Sequence, residues 1–510
     1  MTTTRRQFLS LLGTSAAAAV ALAPRRLLGE AAPAAPAAGK MNVLFIAIDD
    51  LKPQLNCYGH ARMKSPCIDR LAAAGTLFER AYCQQAVCAP TRASLLSGCR
   101  PDTTQVFDLQ TPLRTKLPDV VTLPQRFKES GYTTISLGKI YHHADKDDPK
   151  AWSEPTWRPD KAMWATDEML EKARRLNAES AAAAPPAEPK AKGKGKKAPA
   201  SKALRADPVE AGDLPDEAYA DGCTAAKAIE TLRRVKDKPF FLAVGFLKPH
   251  LPFCCPKKYW NMYPPDSINL ADNPFKPKGA PAVAMSGWGE LRSYYGVPQD
   301  GPVPDSQARE LIHGYYACVT FTDTQIGKVL DELKSLGLEK NTIVVLWGDH
   351  GWHLGDHGLW CKHTNFESAT HVPLLLAAPG MKPGQRSRAL VEFVDIYPSL
   401  CELAGLTPPA TVEGTSLVPL LKDPARPWKS AAFSQYPRSG GVMGYSMRTD
   451  RYRFTQWIKK PDGEVVAVEL YDHEKDPAEN TNLAVLPEHA KLVEELTAQA
   501  KKGWQGARPA

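Results

Sequence analysis

The chain has 510 residues, of which 43% are hydrophobic, so it is long enough to bury a large core and to form more than one domain. Its net charge of +8 is local, because residues 1–40 contribute +4 and residues 176–206 contribute +5. The remainder is close to neutral, which excludes an inference of nucleic-acid binding from bulk charge, and no stretch beyond the N-terminus is apolar enough for a stable membrane span.

The N-terminus has the pattern of an export signal. It reads "MTTTRRQFLSLLGTSAAAAVALAP", with the pair Arg5-Arg6 before a short apolar run and a small-residue stretch. This predicts a twin-arginine signal peptide and an Ala/Pro-rich leader over 1–38, with an uncleaved amphipathic anchor as the alternative. We therefore expect transport by the twin-arginine export machinery to a periplasmic or secreted location.

From residue 42 onward, short apolar runs alternate with amphipathic segments. This alternation predicts an α/β fold in which a large, mostly parallel sheet is sandwiched by helices. The predicted elements, in chain order, are a strand over 42–48, a helix that starts near Pro90, a helix that ends at Gly131, a strand over 132–137, a helix over 223–235, a strand over 239–246, a helix over 323–338 that Gly337 stops, and a strand over 342–347.

Two further segments differ in composition from this pattern. Residues from about 180 to 205 are rich in Ala, Pro and Lys, which predicts a disordered basic insert. After residue 425, aromatic and alternating runs with turns between them predict a smaller antiparallel sheet, followed by a helix at about 488–502. We therefore expect a catalytic domain over 40–425 and a C-terminal subdomain over 426–510.

Polar residues follow four of the predicted strands of the large domain. They are Asp49 and Asp50 after the first, Lys139 and His142 after the second, Lys248 and His250 after the third, and Asp349 and His350 after the last. In open α/β sheets, ligands bind outside the carboxyl ends of the strands. We therefore expect these side chains to converge on one crevice.

The aspartates in this group predict a metal site. Asp49 and Asp50 are adjacent and would repel each other in a crevice without a counter-charge. Together with Asp349 they offer three hard oxygen ligands, which suit Ca²⁺ or Mg²⁺. The alternative is that they form turns or caps after the strands.

A second motif raises zinc as an alternative metal. The segment "GDHGWHLGDHG" spans 348–358 and contains His353 and His357 four residues apart. Its glycines predict a loop, whereas two imidazoles at this spacing share a face only on a helix. The pattern therefore does not favour zinc.

The segment "VCAPTRASLLSG", residues 87–98, poses the question of what Cys88 does. The chain has eleven cysteines; disulfides are possible without an indicated pairing, and many thiols could simply be buried. A helix that starts near Pro90 would put Cys88 at its N-terminal end, where the helix dipole lowers a thiol pKa. A cysteine hydrolase with His142 or His250 as base is therefore one hypothesis, although such an enzyme has no use for the aspartates.

The same segment resembles the signature of the sulfatase family. The pattern Cys-x-Pro-x-Arg, a small-residue run and Gly is matched by Cys88, Pro90, Arg92, Ser94, Leu95, Leu96 and Gly98. The resemblance extends through "NVLFIAIDDL", "GKIYHH", "PFFLAVGFLKPHLPF", "LWGDHGWHLGDHGLWCKHTNFE" and "ELYDHEKDPAENTNLA", and it favours the iduronate-2-sulfatase branch. It implies an alkaline-phosphatase-like fold, in which the large, mostly parallel sheet is mixed, and oxidation of the cysteine to Cα-formylglycine.

The resemblance also implies a ligand set and a set of residues that contact the substrate. The implied ligands of a Ca²⁺ ion, with Mg²⁺ as the alternative, are Asp49, Asp50, Asp349, His350 and the modified Cys88; many sulfatases have Asn or Gln at the position of His350. The implied catalytic residues are Arg92, which supports the formylglycine hydrate, Lys139 and Lys362, which hold the sulfate, and His142 and His250, which move protons.

The implied reaction explains why these residue types are needed. A sulfate monoester is always charged, so cations must neutralise it before a nucleophile can approach. One hydroxyl of the hydrated aldehyde attacks sulfur while Asp349 takes its proton, and His250 protonates the leaving alcohol. His142 then deprotonates the second hydroxyl; the resemblance implies His142 rather than the neighbouring His143, because the spacing of His142 from Lys139 matches the sulfatase pattern.

We therefore expect a sulfuric ester hydrolase that acts on sulfated carbohydrate, such as a glycosaminoglycan or another sulfated polysaccharide. It would need a formylglycine-generating or sulfatase-maturating enzyme as a partner. The alternatives are a phosphonate or phosphodiester hydrolase of the same superfamily, the cysteine hydrolase, and a carbohydrate-binding protein that has lost catalysis.

Overall fold

The structure is a computed structural model that describes residues 39–182 and 205–509. The predicted signal peptide and leader over 1–38, and most of the predicted basic insert, lie outside the described residues. Among the residues that are described, no helix is long and apolar enough to cross a membrane.

The described strands form one large sheet, one smaller sheet and two short pairs. They are β1 (Asn42–Ile48), β2 (Thr76–Tyr82), β3 (Thr133–Gly138), β4 (Val209–Gly212), β5 (Phe240–Phe246), β6 (Phe253–Pro256), β7 (Thr342–Gly348), β8 (His353–Leu354), β9 (Trp360–Cys361), β10 (His371–Ala377), β11 (Gln385–Glu392), β12 (Ala431–Arg438), β13 (Val442–Thr449), β14 (Tyr452–Lys459) and β15 (Glu464–Asp472).

The large sheet has the strand order β11-β2-β10-β7-β1-β5-β3. Strand β10 is antiparallel to both of its neighbours, and the other pairs are parallel. The central strands β1, β5 and β7 are buried along their whole length, as expected for apolar runs that are covered on both faces. The predicted mixed, mostly parallel sheet is confirmed.

Helices cover both faces of this sheet. The described helices are α1 (Pro66–Ala74), α2 (Cys88–Ser97), α3 (Pro101–Thr104), α4 (Leu113–Lys116), α5 (Leu123–Glu129), α6 (Asp167–Ala182), α7 (Ala220–Val235), α8 (Lys257–Trp260), α9 (Asp305–Ser335), α10 (Glu367–Thr370), α11 (Ile396–Leu403), α12 (Val418–Lys422) and α13 (Ala490–Lys501), the last of which packs on the smaller sheet instead. Alternate residues of β1 enter two separate cores: Leu44 and Ile46 pack with α1, α7 and α9, whereas Val43 and Phe45 pack with α2, α5 and α11.

Two predicted helix boundaries need correction. Helix α2 starts at Cys88 rather than near Pro90, because proline is tolerated within the first turn, where the amide groups need no intrahelical partner. The helix predicted over 323–338 is the C-terminal part of the 31-residue helix α9, which ends just before Gly337 at φ +70°.

The C-terminal part of the chain contains the predicted smaller sheet. Strands β12, β13, β14 and β15 are antiparallel and follow one another in that order. Helix α13 packs on it through Leu496, which shares a small core with Met447, Phe454 and Leu470. The helix begins at Ala490, two residues after the predicted start.

The eleven cysteines are all free thiols, and eight of them are buried. None of the disulfides that the composition allowed is present among them. Most of these side chains therefore act as small apolar groups in the cores.

Candidate active site

The carboxyl ends of four adjacent parallel strands, β7, β1, β5 and β3, open on the same edge of the large sheet. The ladder continues one residue beyond the strands, because the Asp49 amide donates to the Phe246 carbonyl and the Asp349 amide donates to the Ile48 carbonyl, each at 3.1 Å. Both side chains are thereby fixed at the start of the loops. The strand ends converge as predicted, although the side chain of Lys248 donates to backbone carbonyls instead of joining the site.

Asp50 turns toward the same point through a left-handed backbone conformation with φ 61°. Its amide donates to Asp349 Oδ1 at 2.9 Å, and its carbonyl accepts from the Tyr315 hydroxyl at 2.8 Å. Aspartate tolerates this conformation better than most residues. The three carboxylates therefore lie together and are fully buried.

Glycines at the ends of β3 and β5 bring Lys139 into the site. A Cβ atom at Gly245 would lie 2.2 Å from the Lys139 carbonyl oxygen, so only glycine allows this approach. The Lys139 amide donates to the Gly245 carbonyl at 3.0 Å, and its ammonium group donates to Asp49.

Arg92, on helix α2, forms ion pairs with two of the aspartates, Asp49 and Asp349. Its side chain is fully buried, with Nη2 2.9 Å from Asp49 Oδ1 and Nε 3.0 Å from Asp349 Oδ2. Nη1 donates to the Ile140 carbonyl at 2.9 Å. A buried guanidinium with this many acceptors offsets its desolvation cost and holds two of the carboxylates in place.

Cys88 is the first residue of α2 and lies against these groups. Its Sγ is 3.3 Å from His350 Nε2, 3.6 Å from Lys139 Nζ and 3.9 Å from Asp50 Oδ1. Burial and the nearby Asp49 raise the pKa of the thiol well above its usual value. The expectation that the helix dipole would lower this pKa is wrong, because desolvation and the carboxylates outweigh the dipole. This disfavours a thiolate nucleophile.

The donor atoms fit a hard divalent cation. His350 Nε2 lies 3.2 Å from Asp50 Oδ1 and 3.5 Å from Asp349 Oδ1, and Nδ1 faces the Gly351 carbonyl at 3.0 Å. An imidazole that donates from Nδ1 offers the Nε2 lone pair to a metal. Burial and the adjacent Asp49 raise the pKa of Asp349, a cost that a bound cation would remove.

On the open side of the site, Lys362 and His250 both contact the carboxylate of Glu290, a residue that was not predicted from the sequence. Lys362 Nζ is 3.0 Å from Asp50 Oδ2 and 2.9 Å from Glu290 Oε2, and only 2% of its side chain is exposed. His250 Nε2 is 3.2 Å from Glu290 Oε1, whereas Nδ1 faces the Leu251 carbonyl. Glu290 lies in the irregular segment "SGWGE", and no strand end or motif marked it.

The two adjacent histidines have different surroundings. His142 Nδ1 is buried and has no hydrogen-bond partner among the described residues, and burial together with Lys139 lowers the pKa of His142 to about 3. His143 Nδ1 lies 3.1 Å from Asp147 Oδ1, and its Nε2 lies 2.8 Å from the Leu109 carbonyl. Both nitrogens of His143 are therefore used by the scaffold.

The remaining polar residues of the predicted motifs are structural. His353 Nε2 contacts the Thr364 hydroxyl at 2.9 Å, and His357 Nε2 contacts the Ala478 carbonyl at 2.8 Å. Neither imidazole belongs to a group of potential metal ligands in the described part of the chain. Lys248 is buried and donates to two backbone carbonyls.

Comparison with known proteins identifies the family. The family described as "Sulfatase" matches residues 41–406, and "N-sulphoglucosamine sulphohydrolase, C-terminal" matches residues 355–505. Iduronate 2-sulfatase of Homo sapiens is 35% identical over 87% of this chain and 91% of its own length. The chain belongs to the sulfatase family. It is a sulfuric ester hydrolase, and the predicted resemblance to the iduronate-2-sulfatase branch is confirmed.

Other sulfatases and related folds extend the comparison. A protein described as "Sulfatase" from Formosa agariphila is 30% identical over 91% of this chain and 87% of its own length. The solved structure of BT4656 with its substrate D-glucosamine-2-N,6-O-disulfate has a TM-score of 0.69 at 23% identity, covering 92% of this chain and 98% of that one. A phosphonate monoester hydrolase of Agrobacterium radiobacter has a TM-score of 0.71 at 24% identity, covering 91% and 95%. These two structures share the alkaline-phosphatase-like fold that the resemblance implied.

Proposed function

We propose that this sulfatase removes sulfate from sulfated carbohydrate with a formylglycine derived from Cys88 and a bound divalent cation, Ca²⁺ in preference to Mg²⁺. The observation that carries the proposal is the position of Cys88 Sγ. It lies at the start of a buried helix, within 4 Å of a carboxylate, an imidazole and an ammonium group. A residue that only filled the core would not need these neighbours.

The cation would be held by the carboxylates of Asp49, Asp50 and Asp349, by His350 Nε2 and by the modified residue 88. Three carboxylates suit Ca²⁺ or Mg²⁺ rather than a thiolate-seeking metal. When bound, the cation would supply positive charge opposite the sulfate and would polarise a hydroxyl at position 88. The hydrated aldehyde would supply two hydroxyls on one carbon, one for attack on sulfur and one whose deprotonation releases sulfate.

The chain's own residues would bind the ester and move its protons. Lys139 and Lys362 are 13% and 2% exposed, and we propose that their ammonium groups hold the sulfate oxygens. His250 would protonate the leaving alcohol from Nε2, since Nδ1 is engaged with a backbone carbonyl. His142, with its unpartnered Nδ1, would accept a proton from position 88, and Arg92 would hold the carboxylates around it.

The substrate class is supported by the names of the relatives. Those include the human iduronate 2-sulfatase, a Delta 4,5-hexuronate-2-O-sulfatase of Bacteroides thetaiotaomicron at 26% identity and an ulvan-active sulfatase of Formosa agariphila at 28%. We propose a sulfated saccharide that contains uronic acid, as in a glycosaminoglycan. The domain boundaries at 40–425 and 426–510, and export by the twin-arginine machinery after maturation of Cys88, remain part of this proposal.

Peptide mass spectrometry of residues 84–92 from active, host-expressed protein tests the nucleophile. We expect an aldehyde at position 88, while the buried thiol of Cys83, read from the longer peptide 81–92 that contains both residues, stays unmodified as a control. Fully active protein with an intact Cys88 thiol would instead support the cysteine hydrolase. Matured protein that binds a sulfated glycan and releases no sulfate would identify a binding protein.

A further inference from the structure

Glu290 is an acidic residue at the open side of the site that the proposed reaction does not use. Its two oxygens lie 2.9 Å from Lys362 Nζ and 3.2 Å from His250 Nε2, and 17% of its side chain is exposed. Burial opposes ionisation, but Lys362 and His250 outweigh burial, so the pKa of Glu290 lies well below its usual range. A charged carboxylate therefore contacts both groups that are proposed to meet the ester.

This carboxylate changes the charge of the site. The charged side chains of the site are the carboxylates Asp49, Asp50, Asp349 and Glu290 and the cations Arg92, Lys139 and Lys362, and His250 pairs with Glu290. When His250 is protonated, as its proposed role as an acid requires, four carboxylates and four cations carry no net charge. Replacing Glu290 by a neutral residue adds one positive charge beside Lys362 and His250. That added charge attracts a doubly charged ester more than a singly charged one.

We propose that Glu290 determines specificity by disfavouring a doubly charged phosphate monoester relative to a singly charged sulfate monoester. The proposal rests on the proposed function, because it requires Lys362 and His250 to contact the ester. A phosphate monoester has a second pKa near 6 and carries close to two charges above neutral pH. In a buried site, a like charge a few ångströms away is screened far less than it is in water.

The test uses Glu290→Gln in the matured, calcium-loaded enzyme with three aryl esters at pH 8. These are 4-nitrophenyl sulfate, 4-nitrophenyl phosphate and a 4-nitrophenyl phosphonate monoester that carries one charge. We expect kcat/KM for the phosphate, relative to that for the sulfate, to rise by about tenfold or more, as one removed like charge near the ester implies. The singly charged phosphonate should show no such gain, which separates charge from the identity of the central atom.

Matched variants distinguish charge from shape. Glu290→Asp keeps the charge and should keep the preference of the parent enzyme, and Glu290→Ala should change it in the same direction as Glu290→Gln. The control Glu154→Gln removes one carboxylate from an exposed ion pair with Arg234 and should leave all three activities unchanged. Calorimetric titration with inorganic phosphate at pH 8 adds a readout other than turnover, and it should show tighter binding to Glu290→Gln.

The outcomes separate this inference from the proposed function. If the parent enzyme releases sulfate and Glu290→Gln leaves the phosphate-to-sulfate ratio unchanged, the specificity role of Glu290 is wrong while the proposed function stands. Equal gains for phosphate and phosphonate would also overturn it. If the matured parent enzyme releases no sulfate from any ester, the proposed function itself fails.

Discussion

His142 and His143 are neighbours in the chain, but of the two only His142 has a buried ring nitrogen without a hydrogen-bond partner among the described residues. We expect His142→Gln to lower kcat by about 10²–10⁴-fold, the usual contribution of general acid-base catalysis, with little change in Tm. His143→Gln should lower Tm, because it breaks contacts with Asp147 and the Leu109 carbonyl, and should change kcat by only severalfold. Paired kinetics and thermal unfolding of the two variants provide the measurement, and equal losses of kcat would contradict the assignment.

Single residues also show where the sequence is informative about the site. Asp49 and Asp349 could be predicted to meet because each follows a buried parallel strand, and the ends of such strands share an edge. Glu290 could not be predicted, because it lies in a loop whose course depends on tertiary packing. The pKa of Cys88 was predicted in the wrong direction because the helix dipole is a local effect, whereas burial depends on the whole fold.

At the level of elements, Asp323 connects helix α9 to the start of α1. Its carboxylate accepts from the Cys67 amide at 3.1 Å and from the Ile68 amide at 2.7 Å, which satisfies two free donors of that helix. Burial raises the pKa of Asp323 from 3.8 to about 6, in spite of these hydrogen bonds. The native state therefore binds more protons than the unfolded state between about pH 4 and pH 6, and this carboxyl makes stability fall as pH rises through that window.

We expect Asp323→Asn to remove that part of the pH dependence. The difference in unfolding free energy between the parent and the variant should change by about 3 kcal/mol from pH 4 to pH 6 and stay constant above it. Thermal or denaturant unfolding at matched pH values measures it. Glu154→Gln, an exposed charge removal, is the control, and parallel curves for parent and Asp323→Asn would contradict the prediction.

Helices and strands could be predicted where the pattern of apolar residues within the segment itself defines them. The predicted bounds of β1 are those observed, and β7 is one residue longer than predicted, because both are uninterrupted apolar runs. The N-terminal half of α9 was missed because residues such as His313, Thr320 and Thr322 are buried there, which obscures a helical hydrophobic face.

At the scale of the whole molecule, the strand order is information that no single segment carries. The antiparallel strand β10 lies between β2 and β7 in the sheet. In the chain, however, β10 follows all of the proposed site residues. Periodicity predicts strands and helices but not which strands pair. The mixed sheet could be predicted in full only through the resemblance to sulfatases.

Because the proposed cation would link loops that follow different strands, its removal should lower the thermal stability of the whole protein. A ligand that binds only the native state stabilises it by about 2.7 kcal/mol at a concentration one hundred times its Kd. We therefore expect a chelator to lower Tm by a few degrees, and Ca²⁺ to restore it, independently of turnover. Asp349→Asn should lose this response, and the stability that it loses with the broken Arg92 ion pair should not depend on calcium. Asp356→Asn, whose carboxylate pairs with Lys52 away from the proposed ligands, should keep the full calcium response. A calcium response that survives in Asp349→Asn, or a parent protein whose Tm ignores both chelator and Ca²⁺, would remove the metal from the proposal.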